Sequence, residues 1–372
     1  MVVTVSRTGY AKTQPLSDYQ AQRRGGRGKS ATAMKDEDVI EHLLVASTHD
    51  TVLLFSNKGK VYWLKVYEMP AASRGSRGKP LVNLLPLDEG EAINAIMPVK
   101  DYSPDCYIFF ATAKGTVKRT SLDQFSRPRS VGLIAIDIEE GDRLVGAAIT
   151  SGNDHVMLLS SNGKAIRFEE SNVRAMGRTA RGVRGMKLLG DAEVISLIIP
   201  KSQQIDADAD ADIETEGEEG APLENGNGGQ IYILTASENG YGKRTRLEEF
   251  PLRGRGGQGV IAMQTSERNG SLVAAMQVYS ADEMMLITDR GTLVRTRVDE
   301  VSITSRNTQG VMLIRLGNDE KLVKTVRIDE PEAASELEYG AEGEAEDAPK
   351  AELQSGPDAD ENGSVEESQN DE

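Results

Sequence analysis

Residues 22–29 read Gln-Arg-Arg-Gly-Gly-Arg-Gly-Lys, four cations and three glycines in eight positions. Arginine and lysine at this density neutralise and hydrogen-bond phosphate or carboxylate oxygens. The glycines let the backbone come close to a ligand and leave N–H groups exposed. Three arrangements use such a stretch: a nucleotide-cradling loop, an RGG-type RNA contact, or an ordered loop that grips DNA.

The nucleotide loop fails on spacing. Gly28-Lys29-Ser30 resembles the end of G-x-x-x-x-G-K-[ST], but the first glycine of that pattern falls where Arg23 stands. The RGG reading needs several boxes in a low-complexity tail, and only two RGG triplets are present, 24–26 and 255–257, neither in such a tail. The remaining reading depends on whether the loop sits in an ordered scaffold.

The scaffold shows itself as a repeat. An apolar run, a Gly turn and a short stretch ending in a basic or polar residue recur six times, with turn glycines Gly9, Gly59, Gly115, Gly163, Gly240 and Gly291. Their separations are 50, 56, 48, 77 and 51 residues, and the 77 becomes 48 without an acidic block at 201–229. A second glycine follows each: Gly28, Gly78, Gly182, Gly259 and Gly310 at 19 residues, and Gly132 at 17. After it come runs such as "LIAIDI" and "VMLIRL", and a third, more alternating run closes each unit. Short Val-, Ile- and Leu-rich runs bounded by "SNG", "SNKG" or "TDRG" predict strands and hairpins. Six units of about fifty residues, each with three or four strands, predict an all-β propeller-like ring or spiral of blades. Helix is confined to short turns such as "LDQF" and "VDEVSI".

Within the repeat the basic loop keeps its register. Arg24-Gly25-Gly26-Arg27-Gly28-Lys29 corresponds to Arg74-Gly75-Ser76-Arg77-Gly78-Lys79, at an offset of fifty. Unit three offers Arg127 and Arg129, and unit four Arg178, Arg181, Arg184 and Lys187. Unit five offers Arg253 and Arg255, and unit six Arg306. A basic stripe along one edge of the ring follows, with glycine shaping each loop. Few aromatic residues accompany it, which disfavours base stacking on single strands, and no helix is available to read a major groove. A curved, basic, sequence-indifferent surface suits bent duplex DNA.

Composition hides this at first. The net charge is −16, but residues 201–229 carry −8 and residues 329–372 carry −16, leaving about +8 on the rest. Both acidic segments lack apolar periodicity and are expected to be disordered. The tail at 329–372 is a candidate competitor for the basic stripe. Cys106, the only cysteine, rules out a disulfide framework, and "CYIFFAT" predicts a buried strand with an inert thiol. His42, His49 and His155 are too few and too scattered for a metal site or a catalytic triad. No signal peptide and no apolar run near 18 residues is present, so a soluble cytoplasmic chain without membrane contact is expected.

With the intact octet Gln22–Lys29 and six such repeats, residues 2 to about 328 resemble the C-terminal DNA-wrapping domain of the bacterial DNA gyrase A subunit, whose signature is the GyrA-box. The resemblance implies a six-bladed β-pinwheel of four-stranded blades that exchange strands, occupying residues 1–328. It implies chiral wrapping of largely sequence-independent double-stranded DNA, so that ATP-driven strand passage yields negative supercoils. Arg23, Arg24, Arg27 and Lys29 would contact phosphates, while Gln22, Gly25, Gly26 and Gly28 would shape the loop. The partners implied are the rest of the gyrase A subunit together with the gyrase B subunit, in the bacterial cytoplasm at the nucleoid. No catalysis and no cofactor is implied for this domain, ATP and Mg2+ being used elsewhere in the holoenzyme. The wrapping domain of topoisomerase IV is the nearest rival, and its degenerate box argues against it. A propeller used as a protein-binding platform, or one with an enzyme in its channel, are rivals of other classes.

Overall fold

In the computed structural model the described residues are 1–6, 8–15, 40–73, 76–201, 230–290, 292–317 and 319–328. The octet 22–29, Arg74, most of the 201–229 block and the tail from 329 lie outside them. Residues 1–331 form one compact unit. The fold is all-β, as the repeat predicts: six small antiparallel sheets, with helix only as 3-10 turns of three or four residues among the described residues.

Every repeat builds the same hairpin. In repeat three Tyr107–Thr112 pairs with Thr116–Ser121, and in repeat four His155–Ser160 pairs with Lys164–Glu169. The first hairpin strand then pairs on its other side with the last strand of its own repeat, Leu144–Thr150 or Val194–Ile198. All six of these pairings shift register where a Ser or Thr stands three residues before the turn glycine: Ser6, Ser56, Thr112, Ser160, Ser237 and Thr288. The hydroxyl also ties the turn itself. Ser6 Oγ accepts the N–H of Tyr10 at 3.0 Å and Ser56 Oγ that of Lys60 at 3.2 Å.

The outermost strand of each sheet comes from the following repeat. Val183–Arg184 joins the third sheet, Val260–Ile261 the fourth and Val311–Met312 the fifth. These guest strands have two residues each, much shorter than the apolar runs suggested. The sixth sheet has three strands among the described residues, and the counterpart of the guest strand Lys79–Pro80 falls at positions 29–30, outside them.

In repeats two to five the two glycines are the joint for this exchange. The Gly163 carbonyl accepts the N–H of Ala262 at 2.8 Å and of Met263 at 3.2 Å, the two residues directly after the incoming guest strand. A Cβ on Gly163 would lie 2.1 Å from the Met263 oxygen, at a φ of +75°. Gly259, the second glycine, crosses the preceding hairpin with φ +75°, where a Cβ would lie 2.2 Å from the Ala165 oxygen. The close approach that these glycines permit is thus to the neighbouring blade, not to a ligand.

Hydrophobic cores lie between blades rather than within them. Leu53, Phe55 and Val61 of blade two pack on Ile108, Phe110 and Phe125 of repeat three. The Phe55 and Phe110 rings meet edge to face at 5.4 Å. Closing strands of successive blades lie side by side: Asn94 Nδ2 donates to Leu144 O at 2.6 Å, and Ser196 Oγ to Ala275 O at 2.6 Å. A fifty-residue unit cannot bury a core alone, and here it does so by sharing one with each neighbour. Cys106 stands just before its strand and is half-buried, not fully inside as "CYIFFAT" suggested.

Replacing Gly259 by Ala combines a left-handed backbone with a carbonyl clash, and should destabilise the unit by about 3 kcal/mol. Chemical denaturation of the two forms measures this, and a loss below about 1 kcal/mol would mean the joint yields.

Candidate nucleic-acid interface

Each basic loop runs from the 3-10 turn that follows a hairpin to the guest strand. The repeat fixes both ends. At the start, Arg253 N–H donates to Arg167 O at 2.9 Å in the preceding blade. At the finish, the second glycine is pressed onto the preceding hairpin, as Gly259 is onto Ala165.

Consecutive loops also touch through the backbone, a link that the sequence did not reveal. From repeat three onward, the residue five after a second glycine donates its N–H to the carbonyl two before the next one. Asp137 donates to Ala180 O at 3.3 Å, Lys187 to Gly257 O at 2.9 Å and Gln264 to Thr308 O at 2.9 Å. Gly256 N–H adds a bond of 2.6 Å to Gly185 O. The loops of repeats four, five and six therefore form one continuous row, docked on the end of the strand before them.

The cations of the basic loops fall into two groups. Lys79, Arg127, Arg129, Arg184, Lys187 and Arg253 are exposed and make no side-chain hydrogen bond or ion pair among the described residues. Arg77 is exposed with its guanidinium 5.3 Å from the Tyr10 ring centroid, a cation–π contact.

The other group already has partners. Arg255 Nε donates to Asn172 O at 2.8 Å and its Nη1 to Arg184 O at 2.9 Å, both in the preceding repeat. Arg306, half-buried, donates from Nη1 to Ile261 O at 3.1 Å, which is the equivalent position one repeat later. Arg181 pairs with Asp137 at 2.9 Å and Glu139 at 3.2 Å, which hold its guanidinium charged and offset part of its field. Arg178 is half-buried, and its carbonyl accepts a lysine ammonium. The octet and Arg74 lie outside the described residues.

Sequence reasoning passed over a set of cations that sit beneath the row. Arg119, Arg167 and Arg244 each follow a turn glycine by four residues and bind the next repeat. Arg167 Nη1 donates to Leu247 O and Phe250 O, both at 3.2 Å. Arg244 Nε donates to Val301 O at 2.7 Å and Nη2 to Asp299 O at 3.0 Å. Arg119 pairs with the buried Glu170 at 3.5 Å. Trp63 takes the same position in repeat two and donates to Phe125 O at 2.9 Å. Burial lowers the affinity of Arg167 and Arg244 for their protons, but both keep carbonyl acceptors. The signal was present: a long donor at a fixed offset from each turn glycine.

The histidines do not converge. His155 Nδ1 lies 2.9 Å from Arg167 Nη2, while His49 stacks edge-on to Tyr67 with centroids 6.0 Å apart.

Six stretches, residues 1–47, 50–100, 107–151, 154–201, 232–278 and 282–329, match the family described as DNA gyrase C-terminal domain, beta-propeller. The chain belongs to that family. The DNA gyrase A subunit of Salmonella typhimurium is 53% identical over 356 residues, covering 95% of this chain and 38% of its own length. That of Escherichia coli is 48% identical over 361 residues, covering 96% and 38%. The chain thus spans under two fifths of the length of these gyrase relatives. Among solved structures, the C-terminal domain of DNA topoisomerase IV aligns with a TM-score of 0.72 at 25% identity, covering 91% of this chain and 98% of that one. A DNA gyrase A C-terminal domain aligns with a TM-score of 0.65 at 27% identity, covering 88% and 99%. The shared pinwheel places this gyrase domain structurally beside both, while its sequence relatives at about half identity are gyrase proteins.

The two groups of rim arginines should separate in unfolding experiments. Arg255→Ala removes two bonds to the preceding repeat and should cost about 1 kcal/mol, whereas Arg253→Ala should change stability by no more than about 0.5 kcal/mol. Equal effects in denaturant titrations would contradict the division.

Proposed function

We propose that this chain binds duplex DNA with little sequence preference and wraps it with fixed handedness along the row of basic loops. In this reading it is the wrapping part of a gyrase, a type II topoisomerase. Strand breakage then belongs to the remainder of the gyrase A subunit, while ATP hydrolysis, with Mg2+, falls to the gyrase B subunit. The observation that carries the reading is the row itself: loops linked by backbone hydrogen bonds and presenting exposed, unpartnered cations repeat after repeat.

Phosphate contacts of this kind are indifferent to sequence, and each releases condensed counterions. Bending a site of 20–30 base pairs by 40–90° costs on the order of 1–6 kcal/mol. One arginine cannot offset that, whereas a row of six or more cations spread over several blades can. The octet Gln22–Lys29 continues the series by register, with Arg23, Arg24, Arg27 and Lys29 as its phosphate-contacting members. A protein-binding platform would call for clustered aromatic anchors. Among the described exposed large hydrophobic residues only Tyr67 is aromatic, which favours DNA. The acidic tail at 329–372 acts as a competitor for the rim, so its removal tightens DNA binding and alters the wrap.

The test is the linking number left in relaxed circular plasmid. The chain is bound, a nicking-closing enzyme relaxes the remainder, and the protein is then removed. A positive shift is expected, lost when Arg23, Arg24 and Arg27 are all changed to Ala. Deleting 329–372 should enlarge or redistribute the shift, and an unchanged result would remove the tail's role. Binding without any shift would replace wrapping by simple clamping.

A further inference from the structure

Three lysines occupy the same place in alternate repeats. Lys12, Lys118 and Lys243 each follow the turn glycine by three residues, on the second hairpin strand. Their exposures are 3%, 0% and 0%. An ammonium buried to this degree costs several kcal/mol unless oxygen atoms surround it. Oxygens do surround it, and most of them come from the basic loop of the next repeat.

Lys118 Nζ donates to Arg178 O at 2.5 Å and Ala180 O at 3.2 Å, and to Ala135 O at 2.6 Å. Lys243 Nζ donates to Ser305 O at 2.7 Å, Arg306 O at 2.5 Å and Thr308 Oγ1 at 3.1 Å. Lys12 Nζ donates to Ser76 O at 2.9 Å and Ser73 O at 3.3 Å. In repeats four and six one captured carbonyl belongs to the arginine four residues before the second glycine, Arg178 or Arg306.

The fold does not require an ammonium at this position. The corresponding residues of the other repeats are Tyr62, Ile166 and Val294. The loops of repeats three and five rest on uncharged side chains instead: a Cβ on Gly132 would lie 2.7 Å from Tyr62 Cε1, and one on Gly257 3.8 Å from Ile166 Cδ1. The interblade joint therefore packs with or without the charge. What the lysine changes is the polarity of the loop. It draws two backbone carbonyls inward, and a carbonyl dipole left facing outward would repel a phosphate.

We propose that Lys12, Lys118 and Lys243 are positioning residues of the DNA-binding rim, each holding the basic loop of the following repeat with its carbonyl oxygens turned away from the phosphates. This role rests on the DNA reading above. It assigns the ammonium groups no contact with DNA themselves. Burial lowers the Lys118 pKa to about 7, with Arg178 adding to the shift and Asp137 opposing it. Lys243 falls to about 8, opposed by Glu249. The carbonyl cages work against that loss of charge, so loop shape and ammonium charge support each other.

The test uses the full 372-residue chain with Lys118→Met and Lys243→Met made singly. Duplex binding is titrated at several salt concentrations, and thermal unfolding is recorded for each form. Exchanging a buried cation for an apolar chain of similar length removes its desolvation cost but leaves its carbonyls without that donor, so the melting temperature should fall by only a few degrees. Binding should weaken roughly 3- to 10-fold, and the slope of log K against log salt should shrink by about 1 to 2, as phosphate contacts of one loop are lost. Lys118→Arg, which keeps a cation, should recover part of the slope. A purely structural role would lower the melting temperature and leave the slope alone, and that result, or unchanged binding, overturns the proposal. If wild-type chain binds no duplex at any salt, the DNA reading falls first and takes this role with it. Should neither Met variant fold, amide exchange in the wild type decides. Residues 178–182 and 305–308 should exchange more slowly than 253–257, whose loop rests on Ile166, and equal or faster exchange overturns the proposed role.

Discussion

The hydrogen bonds between a hairpin glycine and the guest strand of the next repeat hold this molecule together. Gly59, Gly115, Gly163 and Gly240 each accept two N–H groups, from the two residues directly after the strand that arrives from the following repeat. The strand itself has two residues, too few to be stable alone. Its anchorage depends on a turn with no side chain in the way, because the incoming carbonyl occupies the space of a Cβ. Once docked, it carries its repeat into the neighbour's sheet and closes an apolar core between the two blades.

That exchange also makes the charged rim. A basic loop is the piece of chain that must travel from one blade's 3-10 turn to the outer edge of the previous blade. It is consequently at the surface, short and fixed at both ends. Since repeats four, five and six make the same crossing, each of their loops arrives beside the last, as the bonds from Lys187 to Gly257 and from Gln264 to Thr308 show. A periodic row of cations is a by-product of the topology, and a phosphate backbone is itself a periodic row of charges.

The molecule uses cations in two dielectric settings. At the rim Arg184, Lys187 and Arg253 stay in water, where pairing would be worth little and the charge remains available. Beneath it Lys118, Lys243, Arg167 and Arg244 are partly or wholly drawn out of water and donate to main-chain carbonyls of the next repeat. The buried set stitches successive repeats together without adding carboxylates, and so leaves the positive balance of the body intact. Among the described cations of the basic loops, Arg181 is the one that pairs with carboxylates, Asp137 and Glu139.

The periodic content could be read along the chain: six repeats, their hairpins, the paired glycines and the arginines that precede the second glycine. Those features are local, and turn chemistry, strand period and charge are written in adjacent residues. Where each short apolar run goes became visible only in three dimensions. Val260–Ile261 pairs with Lys164 and Ala165, almost a hundred residues earlier, and nothing in a two-residue run names that partner. The same holds for the glycines, whose close neighbour is another blade, and for Arg255 and Arg306, which are as basic in sequence as Arg253 yet hold carbonyls of the preceding repeat. It holds most for Lys118 and Lys243, which look like surface lysines in an alternating strand. Burial and partnership are properties of two chain segments meeting, and a pattern along one segment carries no record of the other.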